Sequence, residues 1–432
     1  MKRDFISELE QWKVHDLRKP LILRGARQVG KSWLVAEFAK QFEIAITINF
    51  ENSPEVSQFF AGAIRIPELL EKLSLYTGKV ITPGKTLLFF DEIQECENAI
   101  IALRYFKEEL PELHVIAAGS LLDFAIEKLG IPVGRVQFLY LHPLSFGEFL
   151  TVLGRDDLRE FIKKQSPDPV LHQLLLDQLK IYFWLGGMPA VVDAWLRFKD
   201  VKLCQELQDE IILAYKQDFQ KYARKHQIDN VERIFASIPQ QLGKKFKFTS
   251  VDHDARAEPL KEALMLLSKA GIVNIAYHSS GQGQPLGATK NAKMFKVFFF
   301  DIGLAQRLLG LNLKTWVTQA LEVMHIGAIA EQLVAQEYIA YTSIKSPPEL
   351  YYWHREERTS NAEVDFLFLK DGSIVPVEVK AGNKGGLKSI TIFLETHPNS
   401  TMALKISEAV YSSNVPMQNI PLYGLEAWLN VE

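Results

Sequence analysis

The chain reads as an α/β protein of several units, and three observations predict it. The first 150 residues alternate short apolar runs with helical patterns, as a parallel sheet flanked by helices requires. The middle carries leucine and isoleucine at helical spacing, and the last segment returns to strands around helices. At 432 residues the chain is also too long for one typical core, and about 150 residues per domain suggests roughly three units. A hydrophobic share of 47% and a charged share of 23% are ordinary for globular proteins, which excludes wholesale disorder and fibrous repeats. The net charge of -3 provides no global attraction to nucleic acid or anionic membrane, so any such contact has to be local. Cys96 and Cys204 are isolated, which excludes a disulfide framework or a four-thiolate zinc site within the chain and points to a reducing cytoplasm. The N-terminal MKRDFISELEQWKVHDLRKP lacks a secretory apolar stretch and no run of eighteen apolar residues occurs, so a soluble cytoplasmic protein without membrane contact is expected.

Taken in order, strands are expected at 21–23, 44–50, 86–90 and 113–118, within a unit spanning 1–155. Residues 156–227 form a helical segment with one sharp bend at Gly186, Gly187 and Pro189. From 228 to 312, two helices (VERIFASIPQQLG and EPLKEALMLLSKAG) precede two strand-like runs, GIVNIAYH and KMFKVFFFD, joined by a glycine-rich turn. Helices followed by a hairpin suggest a winged helix. Residues 313–432 read as helix HIGAIAEQLVAQEYIAY, strands ELYYWHR, EVDFLFL and SIVPVEVK, helix GGLKSITIFLETH and strand TMALKIS. Asp371-Gly372 is a strong hairpin signal between two of those strands.

The most specific local signal is Gly25-Ala26-Arg27-Gln28-Val29-Gly30-Lys31-Ser32, with Trp33 following, between an apolar strand and a helix. Its glycines allow successive backbone N–H groups to point at one anion, and the helix start adds positive potential. Lys31 is positioned to reach terminal phosphates, and the Ser32 hydroxyl to ligate Mg²⁺. The run TLLFFDE then ends a buried strand on two carboxylates: Asp91 to hold Mg²⁺, and Glu92 to orient and deprotonate the attacking water. Taken alone, such acids also fit a helix cap. Ser120, after AAG, is a polar candidate beside the transferred phosphate, and a small-residue turn explains it equally well.

GARQVGKS, TLLFFDEIQ, the AAGS strand end, GRVQFLYLHPLSFGEFL and YFWLGGMPAVV together resemble the bacterial and archaeal AAA-type ATPases that carry a C-terminal domain of unknown function. The resemblance implies an AAA-like fold with an extra strand between the loop strand and the Asp-Glu strand, and ATP as the nucleotide; the loop itself does not distinguish ATP from GTP. It also implies a phosphate-sensing or finger role, in cis or across subunits, for Arg135, against which stands a solvated surface arginine.

A second constellation comprises Glu331 on a helix, Asp365 in EVDFLFL, and Glu378 with Lys380 in VPVEVK. Residues two apart on a strand share a face, so Glu378 and Lys380 project together, and the hairpin brings Asp365 alongside. Two acids holding a divalent ion beside a lysine are the equipment of metal-dependent phosphodiester hydrolysis. The order of elements resembles the PD-(D/E)XK nuclease superfamily, which implies Glu331, Asp365 and Glu378 as ligands of a second Mg²⁺ or Mn²⁺, and Asp365, Glu378 and Lys380 as catalytic residues. Solvated side chains on a short sheet are the alternative. The loop 381–388 fits a phosphate-backbone contact or a flexible turn.

Basic clusters at Lys244, Lys245 and Lys247 and at Lys221, Arg224 and Lys225 offer local sites for DNA, although the helix EPLKEALMLLSKAG carries little to read base edges. The sequence thus predicts an Mg²⁺-dependent ATPase whose nucleotide state controls a nuclease-like domain acting on DNA. The alternative is a nucleotide-dependent switch or scaffold for a protein partner or a second copy, with that domain catalytically inactive.

Overall fold

Fully apolar runs such as LLFF and VIAA cannot leave either face in water, so they become inner strands of a parallel sheet. The computed structural model describes residues 1–129, 134–311, 326–355, 362–382 and 387–430. These fall into two compact units, Lys2–His142 with Ile344–Pro347, and Met1 with Pro143–Ser343 and Pro348–Glu432.

The first unit contains α1 (Ile6–Val14), β1 (Leu21–Arg24), α2 (Lys31–Ala39), β2 (Ile44–Asn49), α3 (Ile66–Thr77), β3 (Thr86–Asp91), α4 (Glu97–Glu109), β4 (His114–Ala118), α5 (Leu122–Leu129) and β5 (Gln137–Tyr140). The sheet order is β2-β3-β4-β1-β5, parallel throughout. β4 therefore lies between the loop strand and the Asp-Glu strand, where the family resemblance places an extra strand. The four expected strands form. β5 was not expected: only four residues long and mostly half-buried, it is recruited by pairing with β1 rather than by its own pattern. Phe50, Phe60, Phe90 and Phe106 pack against one another in edge-on and tilted arrangements within one core cluster beside the sheet. With all strands parallel, the segments following β1, β3 and β4 emerge at one edge, the usual place for a ligand in such folds.

The second unit continues with α6 (Phe146–Val152), α7 (Asp156–Lys163), α8 (Pro169–Leu185), α9 (Pro189–Phe198), α10 (Val201–Tyr222), α11 (Ile228–Ser237), α12 (Ala257–Lys269), β6 (Val273–Ser279), β7 (Lys290–Phe299), α13 (Ile302–Leu308), α14 (Ile326–Thr342), β8 (Leu350–His354), β9 (Glu363–Val364), β10 (Phe366–Lys370), β11 (Ser373–Val379), α15 (Lys388–Thr396), β12 (Ala403–Ser407), β13 (Ser412–Asn414), β14 (Met417–Pro421) and α16 (Leu425–Asn430). The expected bend at Gly186 is present, with φ +74, but the helical segment also breaks before Asp168 and Asp200, whose side chains cap α8 and α10.

The β6–β7 hairpin forms as expected, yet it is no free wing. The other edge of β6 pairs in parallel with β8, giving a sheet of order β7-β6-β8-β9. An unpaired edge leaves backbone donors and acceptors open, and here a strand from the last segment takes them. The second unit thus runs across the boundary expected near 312, which itself lies outside the described residues. The other sheet has the order β10-β11-β12-β14-β13, with Asp371 (φ +48) and Gly372 (φ +71) making the expected tight turn. EVDFLFL is split at Asp365 into β9 and β10. No described helix is long and apolar enough to cross a membrane.

Candidate functional site

At the loop edge of the first sheet, Gly25 (φ +142), Gln28 (φ +64) and Gly30 (φ +96) take backbone conformations that curl the chain between β1 and α2. A Cβ on Gly25 would lie 2.2 Å from the carbonyl oxygen of Leu141, so glycine is required there for close approach as well as for conformation. Lys31 opens α2, is buried, and donates from Nζ to the carbonyls of Gly25 (2.8 Å) and Ala26 (2.9 Å). Its ammonium thus lies folded across the loop. Burial pushes the Lys31 pKa down to about 8, against the opposing pull of Glu92 and Asp91.

Ser32 Oγ donates to Asp91 Oδ2 at 2.8 Å, so the serine in the first turn of α2 and the acid that ends β3 are neighbours. Asn49, at the end of β2, donates to the same oxygen at 3.3 Å. Burial raises the Asp91 pKa above the ordinary value, while the Ser32 hydrogen bond opposes the rise. Glu92 has φ +49 and receives Gln94 Nε2 on Oε2 at 2.7 Å. Gln94 in turn faces the turn after β4, where a Cβ on Gly119 would lie 2.0 Å from Gln94 Oε1. Ser120, next in the chain, is half-buried at the same sheet edge. Asn49 and Gln94 are contacts that sequence reasoning missed. Gln94 stood in the quoted motif FFDEIQ, whereas Asn49 had only its place at a strand end to signal it.

Arg135 is located elsewhere. Its half-exposed guanidinium donates to Glu108 at 2.9 Å. It precedes β5, whose Gln137 lies level with Leu21 at the start of β1, so it sits at the sheet end opposite the loop. Within one chain Arg135 thus lies away from the loop, and motif spacing could not reveal which end of the sheet this segment reaches. Trp33 is on α2 and 40% exposed.

Two hard oxygen donors, Ser32 Oγ and Asp91 Oδ2, lie side by side beneath a glycine-shaped cradle, and this suits Mg²⁺ completed by nucleotide phosphates. No group of three or more His, Cys, Asp or Glu among the described residues is gathered so as to hold a metal ion by itself.

In the second unit the four expected residues come close together, but around a residue that was not anticipated. Lys296, on β7 and fully buried, has its Nζ 2.7 Å from Glu363 Oε1, 3.1 Å from Glu331 Oε2 and 3.5 Å from Asp365 Oδ1. Burial works against its charge, yet these carboxylates hold its pKa above the ordinary lysine value. Asp365 Oδ2 accepts the Val379 N–H at 2.8 Å, and Lys380 pairs with Glu378. Burial, reinforced by Asp365, pushes Glu331 up to about 8 and Glu378 up to about 7. Among the described residues Glu331, Asp365 and Glu378 are not gathered as a metal-ligand group, and Lys296 contacts both Glu331 and Asp365. The one signal for Lys296 was a cation inside the otherwise apolar run FKVFFF. Of the loop 381–388, residues 383–386 lie outside the described residues.

Comparison with known proteins agrees with the first unit. Residues 17–150 match the family described as AAA domain, so this part is similar to AAA-type P-loop ATPase domains. Residues 176–315 and 326–423 match two families described as domains of unknown function, DUF8612 and DUF4143. No curated protein matches the chain. Among solved structures, the Walker-type ATPase PABY2304 of Pyrococcus abyssi is similar at 16% identity and TM-score 0.44, over 71% of this chain and 95% of that one. The ORC1 protein of Aeropyrum pernix in complex with DNA is similar at 12% identity and TM-score 0.28, over 71% and 90%.

Proposed function

We propose that this chain is a Mg²⁺-dependent ATP hydrolase whose nucleotide state controls its C-terminal nuclease-like part. The observation that carries the reading is the 2.8 Å contact between Ser32 and Asp91 beneath the curled loop. Backbone N–H groups of 25–32 would cradle the phosphates, and Lys31 would leave the Gly25 and Ala26 carbonyls for the terminal ones. Mg²⁺, held through Ser32 and Asp91, supplies charge neutralisation and alignment of the phosphates. Glu92, anchored by Gln94, would orient water for attack and take its proton, with Ser120 close to the transferred group.

The output of the switch has two forms. Lys296 among the carboxylates favours the one in which the nuclease-like part is catalytically idle and engages a protein partner or a second copy. Cleavage of DNA is the other, supported by Glu331, Asp365, Glu378 and Lys380 lying within one cluster. Asp91→Asn should lower Mg²⁺-dependent ATP turnover by about a hundredfold or more; turnover at the parental rate would overturn the hydrolase reading. Turnover measured with and without DNA, alongside a cleavage panel of linear, supercoiled, branched and single-stranded DNA with Mg²⁺ or Mn²⁺, separates the two outputs. Slow turnover indifferent to DNA, with every substrate intact, favours the switch.

A further inference from the structure

Lys296 is an unusual side chain for the interior of the second unit. It is a lysine with no solvent exposure, set between Phe295 and Val297 on a strand whose register with β6 holds it opposite Ala276. An ammonium has three N–H donors and no acceptor. Three carboxylates, from α14, β9 and the β9–β10 junction, lie within 3.5 Å of it, so its charge is surrounded by anionic partners. The ring of Tyr352 lies 5.4 Å from Nζ and adds a further favourable contact.

A divalent ion bound by Glu331 and Asp365 would need oxygens at about 2.0–2.6 Å. That ion and the ammonium would then compete for the same oxygens at a separation where two cations repel strongly. Lys296 cannot readily withdraw, because its backbone belongs to the β6–β7 ladder and its side chain is enclosed. Lys380 does not compensate, being engaged by Glu378. The lysine comes from the hairpin, and the carboxylates come from the last segment, so two stretches of chain distant in sequence assemble the arrangement.

We propose that the Lys296 ammonium is the resident cation of this carboxylate cluster, standing in place of a divalent metal and closing the C-terminal domain to metal-dependent phosphodiester hydrolysis. The inference deepens the idle-domain form of the proposed function and is independent of the ATPase reading, which ATP turnover tests separately.

The test uses the full chain, nucleotide-free, carrying Asp91→Asn so that the loop site takes no metal. Mn²⁺ is titrated and followed by electron paramagnetic resonance. With Lys296 in place no tightly held Mn²⁺ is expected, and adding Asp365→Asn should change nothing. Lys296→Met should create one site, tightening Mn²⁺ binding by about tenfold or more, and Asp365→Asn should then abolish it. A Lys296-containing chain that holds one Mn²⁺ tightly and loses it with Asp365→Asn overturns the proposal. So does a folded Lys296→Met chain that gains no site. Where Lys296→Met does not fold, the pair with Lys296 in place decides alone.

Discussion

Lys31→Met separates the functional and structural roles of one side chain, because its two consequences have opposite signs. In the nucleotide-free chain Lys31 is buried and its pKa lies near 8 rather than 10.5. Holding the charge there costs about 3 kcal/mol, at 1.36 kcal/mol per pKa unit. Its hydrogen bonds to the Gly25 and Ala26 carbonyls return roughly 1 kcal/mol each. Methionine removes both terms and keeps the stem packed, so nucleotide-free stability at pH 7 should change little, rising by about 1 kcal/mol. The pH response gives a second check. Between about pH 8 and 10.5 the folded parent binds fewer protons than the unfolded chain, so its stability rises with pH across that window, and the rise should vanish in Lys31→Met. Turnover moves the other way. Two charge-assisted contacts to phosphate, worth about 1.5–3 kcal/mol each, correspond to a loss of roughly 10²–10⁴-fold in ATP hydrolysis. Steady-state phosphate release and urea unfolding at pH 7 and pH 10 measure both. A variant that hydrolyses ATP at the parental rate, or whose urea midpoint collapses at pH 7, would refute the account of this lysine.

Two further outcomes concern the second unit. Arg159 and Glu426 form an ion pair at 2.6 Å, with side chains 10% and 6% exposed, and Thr151 accepts from the same guanidinium. Arg159→Ala should cost about 3–5 kcal/mol in urea unfolding, because it strands a buried carboxylate; combining it with Glu426→Gln should recover part of the loss. Glu337 is buried, accepts the Phe146 N–H at 2.9 Å, and is pushed up to about 8 by that burial. Unfolding releases its proton above the ordinary carboxylate range, so the parent should lose stability as pH rises from about 5 to 8, by up to roughly 4 kcal/mol. Glu337→Gln should flatten that slope, and an unchanged slope would exclude Glu337 as its source.

The loop and the Asp-Glu strand were legible in the sequence because their chemistry is local. Eight contiguous residues specify where glycine is needed and where the cation and hydroxyl stand, and an apolar run ending on acids announces a buried strand terminus. The strands 21–23, 44–50, 86–90 and 113–118 were visible for the same reason. β5, β13, β14 and α16 were not, since short segments of mixed polarity take their structure from the partners they meet. Arg135 illustrates the limit: the family resemblance implies a phosphate-sensing role, whereas strand register carries it to the end of the sheet away from the loop.

What the sequence determined by itself was the curled glycine loop, its lysine and serine, and the acidic residues available to both units. Tertiary structure alone decided that β6 is shared with β8, that Asn49 and Gln94 brace the acidic strand end, and that Lys296 enters the carboxylates of another segment. The physical reason is range. Backbone conformation and side-chain spacing are set within a few residues. Which charges share a dry interior depends on strand pairing between segments far apart, and a lysine in an apolar strand stays ambiguous until its partners are in place.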